Sequence, residues 1–90
     1  MPDALVDYMG YCIYFWIGDG NEPVHVHVSK ASPQKTATKF WVTANGIELA
    51  KDTGSVDKKD MGKILRYLRK NRLRIIERWL TYFGKAEMKK

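Results

Sequence analysis

Residues 24–28 alternate strictly, Val24-His25-Val26-His27-Val28, so on an extended strand the three valines face one way and both imidazoles the other. Upstream, Tyr11-Cys12-Ile13-Tyr14-Phe15-Trp16-Ile17 is an aromatic and β-branched run of strand length, and Gly18-Asp19-Gly20-Asn21 between the two is dense turn chemistry. Residues 11–28 therefore predict an antiparallel hairpin. Thr38-Lys39-Phe40-Trp41-Val42 alternates again, with Thr38, Phe40 and Val42 on one face and Lys39 and Trp41 on the other. Asn45-Gly46 is a strong hairpin-turn signal, and Ile47-Glu48-Leu49-Ala50 returns from it as a short strand, with a helical turn as the alternative. Residues 1–9 show no clear period and predict a loosely held N-terminal segment.

The rhythm then changes. Met61, Ile64, Leu65 and Leu68 recur at i, i+3, i+4 and i+7, the signature of an amphipathic helix. Asn71-Arg72 interrupts that stripe, and Leu73, Ile76, Trp79, Leu80 and Phe83 resume it in a shifted phase. Two helices follow, about 58–70 and 72–83, with Asp57 as N-cap, Gly84 as C-terminal cap and 85–90 as a frayed basic tail. Strands followed by helices define an α+β fold, a small antiparallel sheet of three to four strands with two C-terminal helices packed on one face. The sheet occupies about 11–50 and the helices about 58–83. The stripe Met61, Ile64, Leu65, Leu68, Trp79 and Phe83 supplies the helical share of the core. The second sheet face then shows His25, His27, Trp41 and Tyr14, an aromatic surface suited to a partner or a dimer.

Ninety residues bound the chain to one domain, 1–90, with room for only a modest core and no long substrate channel. Cys12 is the lone cysteine, which points to a reducing cytoplasm, and its apolar setting to a buried thiol. Met1-Pro2-Asp3 lacks the basic start of a signal peptide, and the Tyr11–Ile17 run is far too short to cross a bilayer, so no membrane association is expected. The net charge of +6 is segregated: residues 1–57 carry −3 and residues 58–90 carry +9. A basic C-terminal face and an anionic partner are implied.

Two groups of residues carry candidate chemistry. His25 and His27 lie about 6.6 Å apart at Cα on one strand face, a spacing that lets two imidazoles grip one divalent metal ion. A third ligand would have to come from Asp19, Glu22, Asp52 or Cys12, or from a second copy of the chain. The same histidines can instead hydrogen-bond to backbone and fix the turn, serve a binding surface with Trp41, Lys39 and Tyr14, or act as an acid–base pair. The second group is cationic. Lys59, Lys63, Arg66 and Lys70 follow helical steps along one side, and Arg69, Arg72, Arg74 and Arg78 broaden the positive surface.

Gly20-Asn21-Glu22-Pro23-x-His25-Val26-His27-Val28, Ala37-x-Lys39-Phe40-Trp41-Val42, Glu48-Leu49-Ala50 and Glu77-x-Trp79-x-x-Tyr82-Phe83-Gly84 stand in this order over residues 10–84. With these motifs the chain resembles a widespread family of small bacterial proteins described only as a domain of unknown function. Val24 departs from that pattern, since members usually carry a second proline there. The resemblance implies a bacterial or phage origin, a functional role for the two histidines, and kinship with toxin–antitoxin-like or regulatory gene pairs. It names no reaction. Three functions follow as expectations. The first is a regulatory or toxin–antitoxin-like module that binds nucleic acid through the basic helices. The second is a protein-interaction or homodimer module using the His and aromatic face. The third is a metal-dependent hydrolase using His25 and His27. No cofactor other than such a metal is indicated, and the patterns favour a binding module over an enzyme.

Overall fold

The computed structural model describes residues 3–89. Five strands, β1 (Asp3–Tyr8), β2 (Tyr11–Tyr14), β3 (His25–Lys30), β4 (Thr38–Val42) and β5 (Ile47–Lys51), form one antiparallel meander in sequence order, followed by α1 (Lys58–Lys70) and α2 (Arg72–Phe83). The α+β class stands, and the sheet has five strands where three to four were expected. The fifth is β1, which the patterning left as a loose segment. Register shifts on both sides of Leu5 break its alternation, which is why no period of two is visible in residues 3–8. Met9 and Gly10 both take positive φ (54° and 80°) and close a two-residue turn that matches the twist of the flanking strands.

Val24 and the two valines of β3 face the helices. Val24, Val26 and Val28 join Tyr11, Ile13, Phe15, Phe40 and Val42 in a buried layer that receives Ile64, Leu68, Ile75 and Trp79. The α1 stripe packs in the expected phase. In α2 the buried residues are Ile75 and Trp79, with Ile76 and Phe83 beside them, while Leu73 and Leu80 point to solvent. Asn71 leaves the helical conformation (φ −105°, ψ 18°) between α1 and α2, and the inward-facing residues of α2 fall at 75, 79 and 83.

Asp57 does sit at the N-cap of α1, but its carboxylate takes the Lys30 ammonium at 2.9 Å and makes no capping bond. Tyr11 fastens this end of the helix to the sheet, its hydroxyl donating to Asp60 Oδ2 (2.8 Å) and accepting from the Asp57 amide (3.1 Å). Gly84 ends α2 in the left-handed region (φ 80°), as a cap glycine does.

The tail beyond Gly84 is docked, not frayed. Trp79 Nε1 donates to the Lys85 carbonyl (2.9 Å), the Val24 amide donates to the Glu87 carbonyl (2.8 Å), and Lys89 bridges to Thr43. Lys90 lies outside the described residues. The Val24 bond is one a proline cannot make, so the departure at this position has a structural use here.

Candidate metal centre

The polar face of β3 is not an open platform. Ile17–Asn21 folds as a single 3₁₀ turn over the end of the sheet and delivers Asp19 onto the two imidazoles. The turn is held by a reciprocal pair of bonds: the Asp19 amide donates to the Trp16 carbonyl (3.1 Å), and the Trp16 amide donates to Asp19 Oδ2 (2.8 Å). Asp19 and His25 are buried, and His27 retains a sliver of exposure, 13% of its side chain.

His25 Nδ1 lies 2.9 Å from the Pro23 carbonyl. A carbonyl oxygen only accepts, so Nδ1 carries the proton and, in the neutral ring, Nε2 presents a lone pair. That Nε2 is fully buried and has no hydrogen-bond partner among the described residues. It stands 3.1 Å from Asp19 Oδ2, but the ring does not aim an N–H along that line, so this is a close approach and not a hydrogen bond. His27 Nε2 lies 3.1 Å from the same oxygen with good hydrogen-bond geometry. Burial works to raise the pKa of the Asp19 carboxyl; the His25 ring when it carries a second proton, the hydrogen bond from His27 and the Trp16 amide outweigh it and hold the group far below the usual carboxylate range.

The three ligand atoms all lie within 4.8 Å of one another. Around a tetrahedral ion with ligands at the usual 2.0–2.2 Å, neighbouring ligand atoms are about 3.4 Å apart, close to the two 3.1 Å separations seen here. The bond from His25 Nδ1 to a backbone carbonyl is the outer contact that ordinarily orients a metal-ligating imidazole. Of the other candidate ligands, none joins the cluster. Glu22 is paired with Lys39 (2.8 Å), Cys12 Sγ donates to the Ala31 carbonyl, and Asp52 caps the Gly54 amide. The acid–base reading gains a carboxylate partner in Asp19, but no hydroxyl or thiol among the described residues bonds to either imidazole.

The expected aromatic binding surface is largely taken up by internal contacts. Tyr14 is buried, its hydroxyl bonded to Ser29 Oγ and to the backbone of Gln34 in the 31–37 loop, because that loop folds back over the sheet. Trp41 is half-buried with the ammonium groups of Lys39 and Lys89 at 4.2 and 4.6 Å from its ring. His25 packs edge-on against Trp41 and Trp79.

The cations divide into groups. Lys63, Arg66 and Lys70 line one groove, while Arg74 and Arg78 line its neighbour together with Asp3 and Glu77. Arg69 and Arg72 flank the β4–β5 turn, and Lys59 is exposed near the start of α1. Arg72 is a clamp: its Nε and Nη2 donate to the Thr43 carbonyl and Nη2 also to that of Ala44. Arg78 Nη2 donates to the Asp3 carbonyl.

No helix among the described residues is long and apolar enough to cross a membrane. No curated protein and no solved structure matches the chain. A family model covers residues 10–80, from the turn before β2 to the third turn of α2, and so takes in Asp19, His25 and His27. The chain thus belongs to the family described as Domain of unknown function (DUF4160).

Proposed function

We propose that this domain binds one divalent d-block metal ion through Asp19, His25 and His27. The observation that carries the reading is the buried Nε2 of His25. It is a buried ring nitrogen left without a partner among the described residues, 3.1 Å from a carboxylate oxygen that does not lie along its lone pair, and a cation held by both would satisfy it. Two imidazoles and one carboxylate suit zinc, and equally iron, cobalt or nickel in their divalent states.

Three protein ligands would leave further coordination positions for water or a substrate atom, and His27 keeps an edge exposed to solvent beside them. Held by these residues, a divalent ion would supply a bound water of lowered pKa, and metal-assisted hydrolysis is the reaction class that such a site would support. The chain's own part is to fix the ligands. Pro23 sets the His25 tautomer, the Trp16 amide orients Asp19, and Tyr14, Trp16, Trp41 and Trp79 wall the imidazoles with rings.

Native mass spectrometry of untagged protein from a gentle lysate tests this reading, with Asp19→Asn and His27→Gln beside the wild type. One divalent ion per chain in the wild type, lost in both variants while circular dichroism is unchanged, is the expected result. A wild type that stays metal-free after equimolar zinc, or variants that retain the ion, would overturn it.

A further inference from the structure

A second feature lies away from the histidines, where the β1–β2 turn meets α1. Lys63, Arg66, Tyr67 and Lys70 fall at i, i+3, i+4 and i+7 and so form one stripe along that helix. With Tyr8, Met9 and Asn71 they line a shallow groove of about 740 Å³. No acidic side chain lines it, and none of its three cations lies in an ion pair among the described residues. Tyr8 and Tyr67 stack face to face across it, ring centroids 3.9 Å apart and planes within 1°, and both are only partly buried. Met9, held at positive φ, leaves its side chain exposed beside them.

From this juxtaposition we infer that the groove binds single-stranded nucleic acid, with Lys63, Arg66 and Lys70 on successive phosphates and the Tyr8–Tyr67 pair against an unpaired base. Three cations on one helical stripe span about 10 Å, since residues 63 and 70 are seven steps of 1.5 Å apart, a reach that suits two or three phosphates of an extended strand. A rigid aromatic pair set among those cations adds what a plain basic face lacks, a flat apolar surface for a base of any sequence. Duplex DNA offers phosphates but no exposed base face, so the tyrosines assign the partner to single strands. The inference does not depend on the metal site.

The test is fluorescence anisotropy with a labelled 20-nucleotide oligo-dT and with a duplex of equal length, over a range of salt. Wild type is expected to prefer the single strand, with log affinity falling against log salt at a slope of about −2, the value for three phosphate contacts on a single strand. Lys63→Glu/Arg66→Glu/Lys70→Glu should abolish binding. The control Lys35→Glu/Lys51→Glu/Lys85→Glu makes the same change in net charge at exposed sites elsewhere and should bind far more tightly than the groove variant. Tyr8→Leu/Tyr67→Leu should weaken the single strand roughly tenfold or more and leave the slope unchanged. Equal loss in the two charge variants, equal affinity for duplex, or no effect of the tyrosine change in a protein of unaltered circular dichroism would overturn the inference.

Discussion

At the scale of the residue, Asp19 is the group on which most depends. Its carboxylate receives the Trp16 amide and the His27 imidazole, and it closes the 3₁₀ turn over β3. Because its folded-state pKa is depressed, it stabilises the native chain above the ordinary carboxylate range, near 3.9, and that contribution is lost as pH falls through the lower folded value. In metal-free protein, Asp19→Asn should therefore cost on the order of 1–3 kcal/mol at pH 7, with the deficit shrinking in strong acid. Denaturant melts at pH 7 and at successively lower pH check this; a deficit independent of pH would contradict it. The candidate site was half legible from sequence. The alternation at 24–28 places both imidazoles on one face, and the structure keeps them there. Which of four possible third ligands joins them was not readable, because it depends on how the 18–21 turn folds back over the strand, a tertiary fact that leaves no period in the sequence.

At the scale of the element, the helices were the most readable part, since a stripe at 3.6-residue spacing needs only a single face to bury. Both helix boundaries expected from it, 58–70 and 72–83, agree with the structure. The strand β1 and the docked tail were not readable: bulges erase the alternation of one, and the other is held through its own backbone carbonyls at Lys85 and Glu87, which leave no pattern in its side chains. The tail closes the end of the sheet nearest the histidines, and Trp79, fully buried, ties it down through Lys85. Truncation after Gly84 should lower the unfolding midpoint and expose the Val24 amide, visible as faster hydrogen exchange there; unchanged exchange at Val24 would show that the tail does not protect it. Trp79→Ala should cost about 3–5 kcal/mol as a core truncation. The basic residues part company in the same way. Arg72→Ala should cost about 1.5–3 kcal/mol of stability by releasing the Thr43 and Ala44 carbonyls, whereas Arg66→Ala, on a solvent-facing position, should stay within about 0.5 kcal/mol. Equal effects in chemical denaturation would contradict this division.

At the scale of the whole molecule, the sheet and the helices carry different charge and different chemistry. The three ligand atoms sit at the end of the sheet that the 3₁₀ turn covers, beside Trp79 of α2, while the cationic groove sits where α1 meets the β1–β2 turn. The excess of +9 in residues 58–90 raises the expectation of an anionic partner, but a count of charges does not separate Arg72, spent on carbonyls, from Lys63, Arg66 and Lys70, which are free of ion pairs among the described residues. The two features are far enough apart in composition and place that changes in one should leave the other intact: the groove variant should hold metal as the wild type does, and Asp19→Asn should bind oligo-dT normally.

The claim that matters most is that Asp19, His25 and His27 converge on one ion, and a cobalt(II) titration followed by visible absorption tests it most directly. Low-coordinate cobalt with nitrogen and oxygen ligands absorbs strongly, while the hydrated octahedral ion does not. The structure predicts an intense band that saturates at one cobalt per chain, is displaced by zinc, and is absent in both Asp19→Asn and His27→Gln. A wild-type spectrum no stronger than that of the free ion would contradict the site and leave the cluster a buried hydrogen-bonded pin for the turn.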